Sequence, residues 1–292
     1  MKFFVVGSKG MLASDLIPIL EKEGQVTGGD LPELDITNLD SVRKILTRVK
    51  PDIVINCAAY TAVDKAEEEK EKAHAVNGLG TGNLAKICRE IKARLIQIST
   101  DFVFDGKNNR PYVEEDETNP LGVYGASKLE GENLVRKALK DYIIIRTSWL
   151  YGIHGNNFVK TITRLAAERD ELGIVFDQAG TPTYTVDLSH AIFNLITAEP
   201  GIYHFSNEGV CSWYDFAFEV EALLKKNGRS LNLLNLKPIL TQDYPTPAMR
   251  PPYSVMNKAK YKRITSESIP HWRNGLVRYF QQAKEEENKV NK

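Results

Sequence analysis

Phe3-Phe4-Val5-Val6-Gly7-Ser8-Lys9-Gly10-Met11-Leu12-Ala13 decides the fold of this chain. Four apolar residues end at a glycine turn, and a helical run follows through Leu20. Strand, glycine turn and helix, in that order, form the context in which a dinucleotide pyrophosphate is held. The glycines let the backbone approach the anion, the first N–H groups of the helix face it, and Ala13 is small enough for helix and strand to pack closely. Gly7, Lys9, Gly10, Met11 and Leu12 are therefore candidate cofactor contacts. The spacing G-x-x-G-x-x-A is less restrictive than G-x-G-x-x-G, so an ordinary strand-to-helix turn is the competing reading.

The chain downstream supplies the partners that such a turn needs. Gln25 to Thr27 reads as a second strand, and Gly28-Gly29-Asp30 at its end places a carboxylate about twenty residues beyond the glycine turn, where a ribose-binding acid belongs. Asp30 would accept from a 2′-hydroxyl and repel a 2′-phosphate, which favours NADH over NADPH, with Lys9 as the counterweight. Asp35 and Ile36 lie where an adenine would rest, and Thr37 is the expected cap of a helix from Ser41 to Val49. The continuous apolar run Ile53 to Ala59 suits a strand buried on both faces, with Ala58 and Ala59 small enough for a ligand to pass. Lys65 to Lys72 reads as a solvated helical face, with Asn77 further along the same helix. Leu95 to Thr100 is the next strand and ends in hydroxyls at the sheet edge where open α/β folds hold ligands. An irregular acidic stretch, Phe102 to Pro120, leads to a helix through Ala138, and Tyr142 to Thr147 is again strand-like. Strand and helix alternate throughout, so a doubly wound parallel sheet is the economical fold.

Beyond Trp149 the pattern changes. Helices are expected over Asn157 to Glu168, Ala191 to Thr197 and Trp213 to Lys226, with strand-like Ile174 to Phe176 and Gly201 to Ser206. Pro238 to Pro252 is proline-rich, Arg250-Pro251-Pro252-Tyr253-Ser254 is placed at a pocket, and Glu285 to Lys292 is expected to fray. The division is a dinucleotide-binding domain over 1–148, completed by a segment near 183–200, and a smaller substrate-binding lobe over 149–292.

Composition narrows the partners. The 292 residues carry 38 Lys and Arg against 38 Asp and Glu, with no basic block, which argues against nucleic acid and membrane surfaces and for a small molecule. Cys57, Cys88 and Cys211 are scattered, so neither a disulfide framework nor a metal site is expected, and a reducing, cytoplasmic setting is.

Tyr124-Gly125-Ala126-Ser127-Lys128 carries the chemistry. Residues four apart on a helix share a face, and a fixed cation beside a phenol favours the phenolate and lowers a pKa of about 10. So placed, Tyr124 could give a proton to a carbonyl oxygen. By itself, Tyr-x-x-x-Lys is also what a surface helix produces by chance.

With Gly7, Gly10, Asp30, Asn77, Thr100, Tyr124 and Lys128 in this order, the chain resembles the extended short-chain dehydrogenase/reductase family, which has a Rossmann-like fold. Asn56-Cys57-Ala58-Ala59-Tyr60-Thr61-Ala62-Val63-Asp64, Ser99 to Gly106, Arg146 to Gly152 and Asp177 to Thr183 are similar to blocks of its dTDP-4-dehydrorhamnose reductase branch. That resemblance implies NADH- or NADPH-dependent reduction of the C4 ketone of a dTDP-sugar. Tyr124 would be the proton donor, Lys128 would hold the nicotinamide ribose, Thr100 would bind the carbonyl oxygen, and Asn77 would support a proton relay. Val63, Asp101, Phe102, Trp149 and Asn157 are implied near the sugar nucleotide, and Arg250 near its diphosphate. A monomer or weak homodimer is expected. Gly10-Met11-Leu12-Ala13 departs from the branch's usual Gly-Gln-Leu-Gly, Phe102 replaces a common Tyr, and the carboxylates that hold magnesium between subunits in some members have no evident counterpart. The competing readings are a nucleotide-sugar epimerase or dehydratase and a non-catalytic regulatory subunit, like that of methionine adenosyltransferase.

Overall fold

The computed structural model describes residues 1–290. Six parallel strands form its centre, in the order β10-β5-β4-β3-β1-β2. In chain order the elements are β1 (Lys2–Val6), α1 (Met11–Leu20), β2 (Gln25–Gly29), α2 (Leu39–Val49), β3 (Ile53–Asn56), α3 (Val63–Ala66), α4 (Lys70–Ala73), a π-helical turn (His74–Gly80), α5 (Thr81–Ile91), β4 (Arg94–Thr100), α6 (Val123–Ala138) and β5 (Tyr142–Thr147). There follow β6 (Leu150–Tyr151), α7 (Phe158–Glu168), β7 (Glu171–Val175), β8 (Ala179–Gly180), β9 (Thr183–Tyr184), α8 (Thr185–Asn194), β10 (Gly201–His204), β11 (Cys211–Ser212), α9 (Trp213–Lys226), β12 (Asn235–Ile239), α10 (Ala259–Thr265) and α11 (Trp272–Val290).

The sheet is buried on both faces, which is why its strands read as unbroken apolar runs. Phe3, Val5, Ile53, Ile55, Ile96, Ile143 and Ile145 pack with α1 and α8 on one side. Phe4, Val6, Val54, Leu95 and Ile144 pack with α2, α5 and α6 on the other. The last sheet strand comes from beyond the segment expected to complete it: β10 pairs with β5 in the register Gly201↔Ile143 to His204↔Arg146. A separate aromatic core, with Tyr151, Tyr184, Phe216 and Trp272 at its centre, holds α7, α9 and α11 together.

Several local expectations change. Asn38, not Thr37, caps α2, because its Oδ1 accepts from the Asp40 and Ser41 N–H groups at 3.0 and 3.1 Å. Thr37 is already taken, its N–H and hydroxyl both donating to Asp35 Oδ1 at 2.9 and 2.7 Å. The charged run from Lys65 does not continue as one helix to Asn77; it breaks at Glu67–Glu69 and resumes as α4. The helix expected over Ala191 to Thr197 instead starts at Thr185 and ends at Asn194. Glu285 to Val290 continue α11 instead of fraying, with Lys289 paired to Glu286 at 2.7 Å, while Asn291 and Lys292 lie outside the described residues.

Candidate active site

Thr100 and Tyr124 meet at the C-terminal edge of the sheet, with Lys128 one turn further along the same helix. Thr100 is the last residue of β4, level with Thr147 of β5. Tyr124 stands in the first turn of α6, whose start is fixed by Glu67 Oε1 accepting from the Val123 N–H at 2.8 Å. The Thr100 hydroxyl is close enough to the phenol to oppose the rise in its pKa, and the Phe102 ring meets the Tyr124 ring edge-on at 5.6 Å. One turn further, Lys128 is 4% exposed and its Nζ donates to the Ile98 carbonyl at 2.6 Å.

The electrostatics differ from the expected tuning. Burial pushes the Tyr124 phenol up to about 12, outweighing the Thr100 hydrogen bond, and the nearby Asp101 charge pushes the same way. The Lys128 ammonium is turned to a backbone carbonyl and does not offset this. Burial brings Lys128 down to about 8, against Glu132, which holds it up. A phenol that keeps its proton at neutral pH is a donor in waiting, which suits reduction of a carbonyl.

Asn77 lies in the π-helical turn, a type of distortion often found at functional sites. Its Oδ1 accepts from the Tyr60 N–H at 2.8 Å, and its Nδ2 donates to the Tyr60 carbonyl and the Ser127 hydroxyl at 3.0 and 3.1 Å. The side chain thus braces the loop after β3 against α6. Asp101 is 1% exposed and stands behind Thr100, whose hydroxyl donates to its Oδ1 at 3.0 Å. Burial pushes the carboxyl up to about 6, opposed by the Ser254 and Thr100 hydroxyls.

The glycine turn lies beside a cavity of about 340 Å³ lined by Gly7, Gly10, Asp30, Asp35, Ile36, Ala58 and Ala59 among others. Gly7 has φ +72°, and a Cβ there would stand 2.7 Å from the Ala58 backbone nitrogen. Gly10 precedes α1, and no side chain caps that helix. An uncapped N-terminus beside two glycines fits a pyrophosphate. Asp30 Oδ2 accepts from the Lys9 N–H at 3.0 Å, tying the acid to the turn. Leu12 is in the core with its side chain 6% exposed, so only its backbone N–H is on offer.

The substrate candidates divide. Val63 opens α3 and is half-buried. Trp149, two residues past the end of β5, has φ +46°, an unusual conformation for a bulky residue. Its indole stacks on Trp213 with centroids 3.5 Å apart, and on its other contact Gly180 leaves no room: a Cβ would fall 2.5 Å from Trp149 Cε2. Asn157 is spent on structure, since its Oδ1 caps α7 at the Lys160 N–H and its Nδ2 donates to the Gly152 carbonyl at 2.7 Å. Arg250 forms a two-pronged ion pair with Asp64 at 3.1 and 2.9 Å, joining the loop after β12 to α3. A second cavity, about 420 Å³, is lined by Phe158, Gln178, Trp213, Tyr244, Thr246 and Arg250. Gly180 lies in the Asp177 to Thr183 block but was given no role there, and Trp213 was not signalled by any motif; the backbone conformation of Trp149 points to both. Among the described residues, no cluster of His, Cys, Asp or Glu is arranged to hold a metal ion.

The model of one family, the RmlD substrate binding domain, matches residues 1–285. The chain belongs to this family. It is 41% identical to the spore coat polysaccharide biosynthesis protein SpsK of Bacillus subtilis over 96% of this chain and 97% of that one. It is likewise 41% identical to a dTDP-4-dehydrorhamnose reductase of Aggregatibacter actinomycetemcomitans, over 94% of this chain and 97% of the other. Among solved structures, the dTDP-4-dehydrorhamnose reductase of Bacillus anthracis in complex with NADP superposes with a TM-score of 0.91 at 39% identity, covering 96% of this chain and 99% of that one. The doubly wound sheet is therefore that of the RmlD family.

Proposed function

We propose that this RmlD-family chain is an NAD(P)H-dependent oxidoreductase that reduces the C4 ketone of dTDP-4-dehydro-L-rhamnose to dTDP-L-rhamnose. The observation that carries the reading is the meeting of Thr100 and Tyr124 at the sheet edge, with Lys128 one helical turn further and a glycine turn where Gly7 leaves no room for a Cβ. A reduced nicotinamide supplies the hydride when bound. Gly7, Gly10 and the start of α1 hold its pyrophosphate, Asp30 its adenosine ribose, and Lys128 its other ribose. The Thr100 hydroxyl, turning its one proton from Asp101 Oδ1 to the ketone oxygen, steadies the charge that develops there, while Tyr124 gives that oxygen its proton. Trp149 and Phe102 bound the sugar, and the cavity at Phe158 and Trp213 offers an aromatic wall to the base. The three free cysteines suit a cytoplasmic, reducing setting.

Incubation with dTDP-4-dehydrorhamnose and NADH or NADPH, followed by nicotinamide absorbance, tests the reading. One reduced nicotinamide should be consumed per sugar. An epimerase or dehydratase would regenerate its cofactor, and a regulatory subunit would turn over no ketosugar.

Asp30 favours NADH, with Lys9 able to accept a 2′-phosphate in its place. Asp30→Ala is expected to shift the ratio of the NADPH and NADH dissociation constants about tenfold toward NADPH, the size of one lost charged contact. Titration by nicotinamide fluorescence reads it directly, and an unchanged ratio would remove Asp30 from the ribose site. Gly180→Ala should push the Trp149 indole off Trp213 and raise KM for the dTDP-sugar about tenfold with kcat less affected, because only binding-surface geometry changes. Steady-state kinetics separate the two constants, and an unchanged KM would place Trp149 away from the sugar nucleotide.

A further inference from the structure

The inner face of α6 is unusual for a helix packed on a sheet. After Tyr124 and Lys128, the next residue on that face is Glu132, and both Lys128 and Glu132 are buried, at 4% and 1% exposure. Glu132 is held from three directions. Ser99 Oγ donates to its Oε1 at 2.5 Å, Arg146 Nε to the same oxygen at 3.0 Å, and Arg146 Nη2 to Oε2 at 2.7 Å. Behind Arg146 stand the Phe104 ring, 5.1 Å from the guanidinium carbon, and His204, whose Nε2 is 3.5 Å from Nη1. Burial and the Arg146 charge bring His204 down to about 3, so it is neutral and adds no charge.

Burying such ions costs several kcal/mol each, and a well-packed apolar set of equal volume would usually be no less stable. A fold that needed only a helix glued to a sheet has cheaper ways to do it. What the ionic arrangement adds is position. Three consecutive residues of β4 are engaged by three successive turns of α6: Thr100 by Tyr124, Ile98 by Lys128, and Ser99 by Glu132. A one-residue slip of the helix along the strand would break all three.

It also adds charge. The groups that bear on Lys128 are Glu132 on its own helix and Cys57 after β3, with Arg146 of β5 behind Glu132. Glu67 is engaged at the helix start, and the His74–Glu130 pair is part-exposed where the π-helical turn meets α6. Of these, Glu132 favours the charged lysine, while the Cys57 thiol, pushed up to about 12 by burial, stays neutral.

We propose that Glu132, clamped by Ser99 and Arg146 against β4, is a positioning residue that balances the buried charge of Lys128 and sets α6 in register with Thr100. The proposal rests on the cofactor role given to Lys128 above. A cationic Lys128 is needed to hold a ribose hydroxyl pair beside the phenol that gives up its proton, and its burial alone works against that charge. Loss of Glu132 therefore drops the lysine's pKa further, and the pH at which the cation disappears moves down.

The test is NADPH binding, measured by fluorescence from neutral into alkaline pH, for the wild-type protein, Glu132→Gln, the double variant Glu132→Gln/Arg146→Met, and Glu132→Asp. The double variant guards against misfolding, because it removes the buried guanidinium that Glu132→Gln alone would leave unpaired. Wild-type affinity should decline through an alkaline limb. That limb should lie about one pH unit lower in Glu132→Gln, lower by less in the double variant because the Arg146 charge leaves with the carboxylate, and return toward wild type in Glu132→Asp. A purely structural ion pair would alter thermal stability in Glu132→Gln and leave the limb of the folded double variant in place; that result overturns the proposal. If wild-type protein binds no NADPH at any pH, the cofactor reading fails first and takes this one with it. Binding whose limb ignores Glu132 sinks the proposal alone.

Discussion

Tyr124→Phe is expected to lower kcat by about a hundred- to ten-thousand-fold, the usual worth of a positioned general acid, while the cofactor dissociation constant stays within a few-fold. The substitution removes one oxygen and keeps the ring, so the edge-on packing of Phe102 survives. Thr100 also remains, since it is anchored on its own by donating to Asp101 and accepting from the Phe102 N–H. Carbonyl polarisation by Thr100 would then continue without a proton to complete the step. Burial holds the phenol near 12, so the donor is protonated across the neutral range and its loss cannot be rescued by lowering the pH modestly. Single-turnover absorbance with saturating NADPH measures the step, and turnover at the wild-type rate would mean that the acid lies elsewhere.

Gly7→Ala should act at the other end of the site, and in the opposite sense on binding and chemistry. The residue sits at φ +72°, which costs a residue with a Cβ about 1–2 kcal/mol. The larger obstacle is steric. The new methyl would stand 2.7 and 2.8 Å from the nitrogen and Cα of Ala58, both backbone atoms that cannot swing away. The loop after β3 must therefore shift, and the Gly7 N–H to Gly29 carbonyl bond at 2.8 Å, which shapes the turn, is strained with it. We expect NADH and NADPH affinities to fall about a hundredfold, with melting temperature down by several degrees. Isothermal titration beside a thermal melt separates the two effects. Unchanged cofactor affinity in a folded Gly7→Ala protein would remove the turn from the pyrophosphate site.

What the sequence disclosed was what short-range rules encode. The glycine turn, α1, α6 and the strands β1 to β5 were readable because apolar runs, breakers and i, i+4 pairs are local signals. Thr37 was misread as a cap because Asp35 competes for it, and no propensity scale sees that competition. The membership of β10 in the sheet was invisible for a different reason: parallel pairing of Gly201 with Ile143 joins segments that nothing in their own composition connects. Within the site, Tyr124, Lys128 and Thr100 carried a recognisable spacing. The depression of the phenol's pKa was expected from that spacing and failed, because desolvation is set by how deeply the fold buries the ring. Glu132 stood one further turn along the same face and could have been found by extending the pattern, but its worth depends on Arg146, which only the neighbouring strand brings near.

The path of the backbone between sheet and lobe bears on how the cleft can move. It leaves the sheet after β5, turns back into α8 and β10, and departs again toward β11 and α9 before α10 returns to pack beside β10. The Asp64–Arg250 pair adds a lateral strut. A body tethered through several separate covalent crossings has little freedom to swing on a single pivot. Admission of a long ligand would then proceed by small sliding adjustments of side chains and loops, with the seat for the reacting ring held nearly constant throughout.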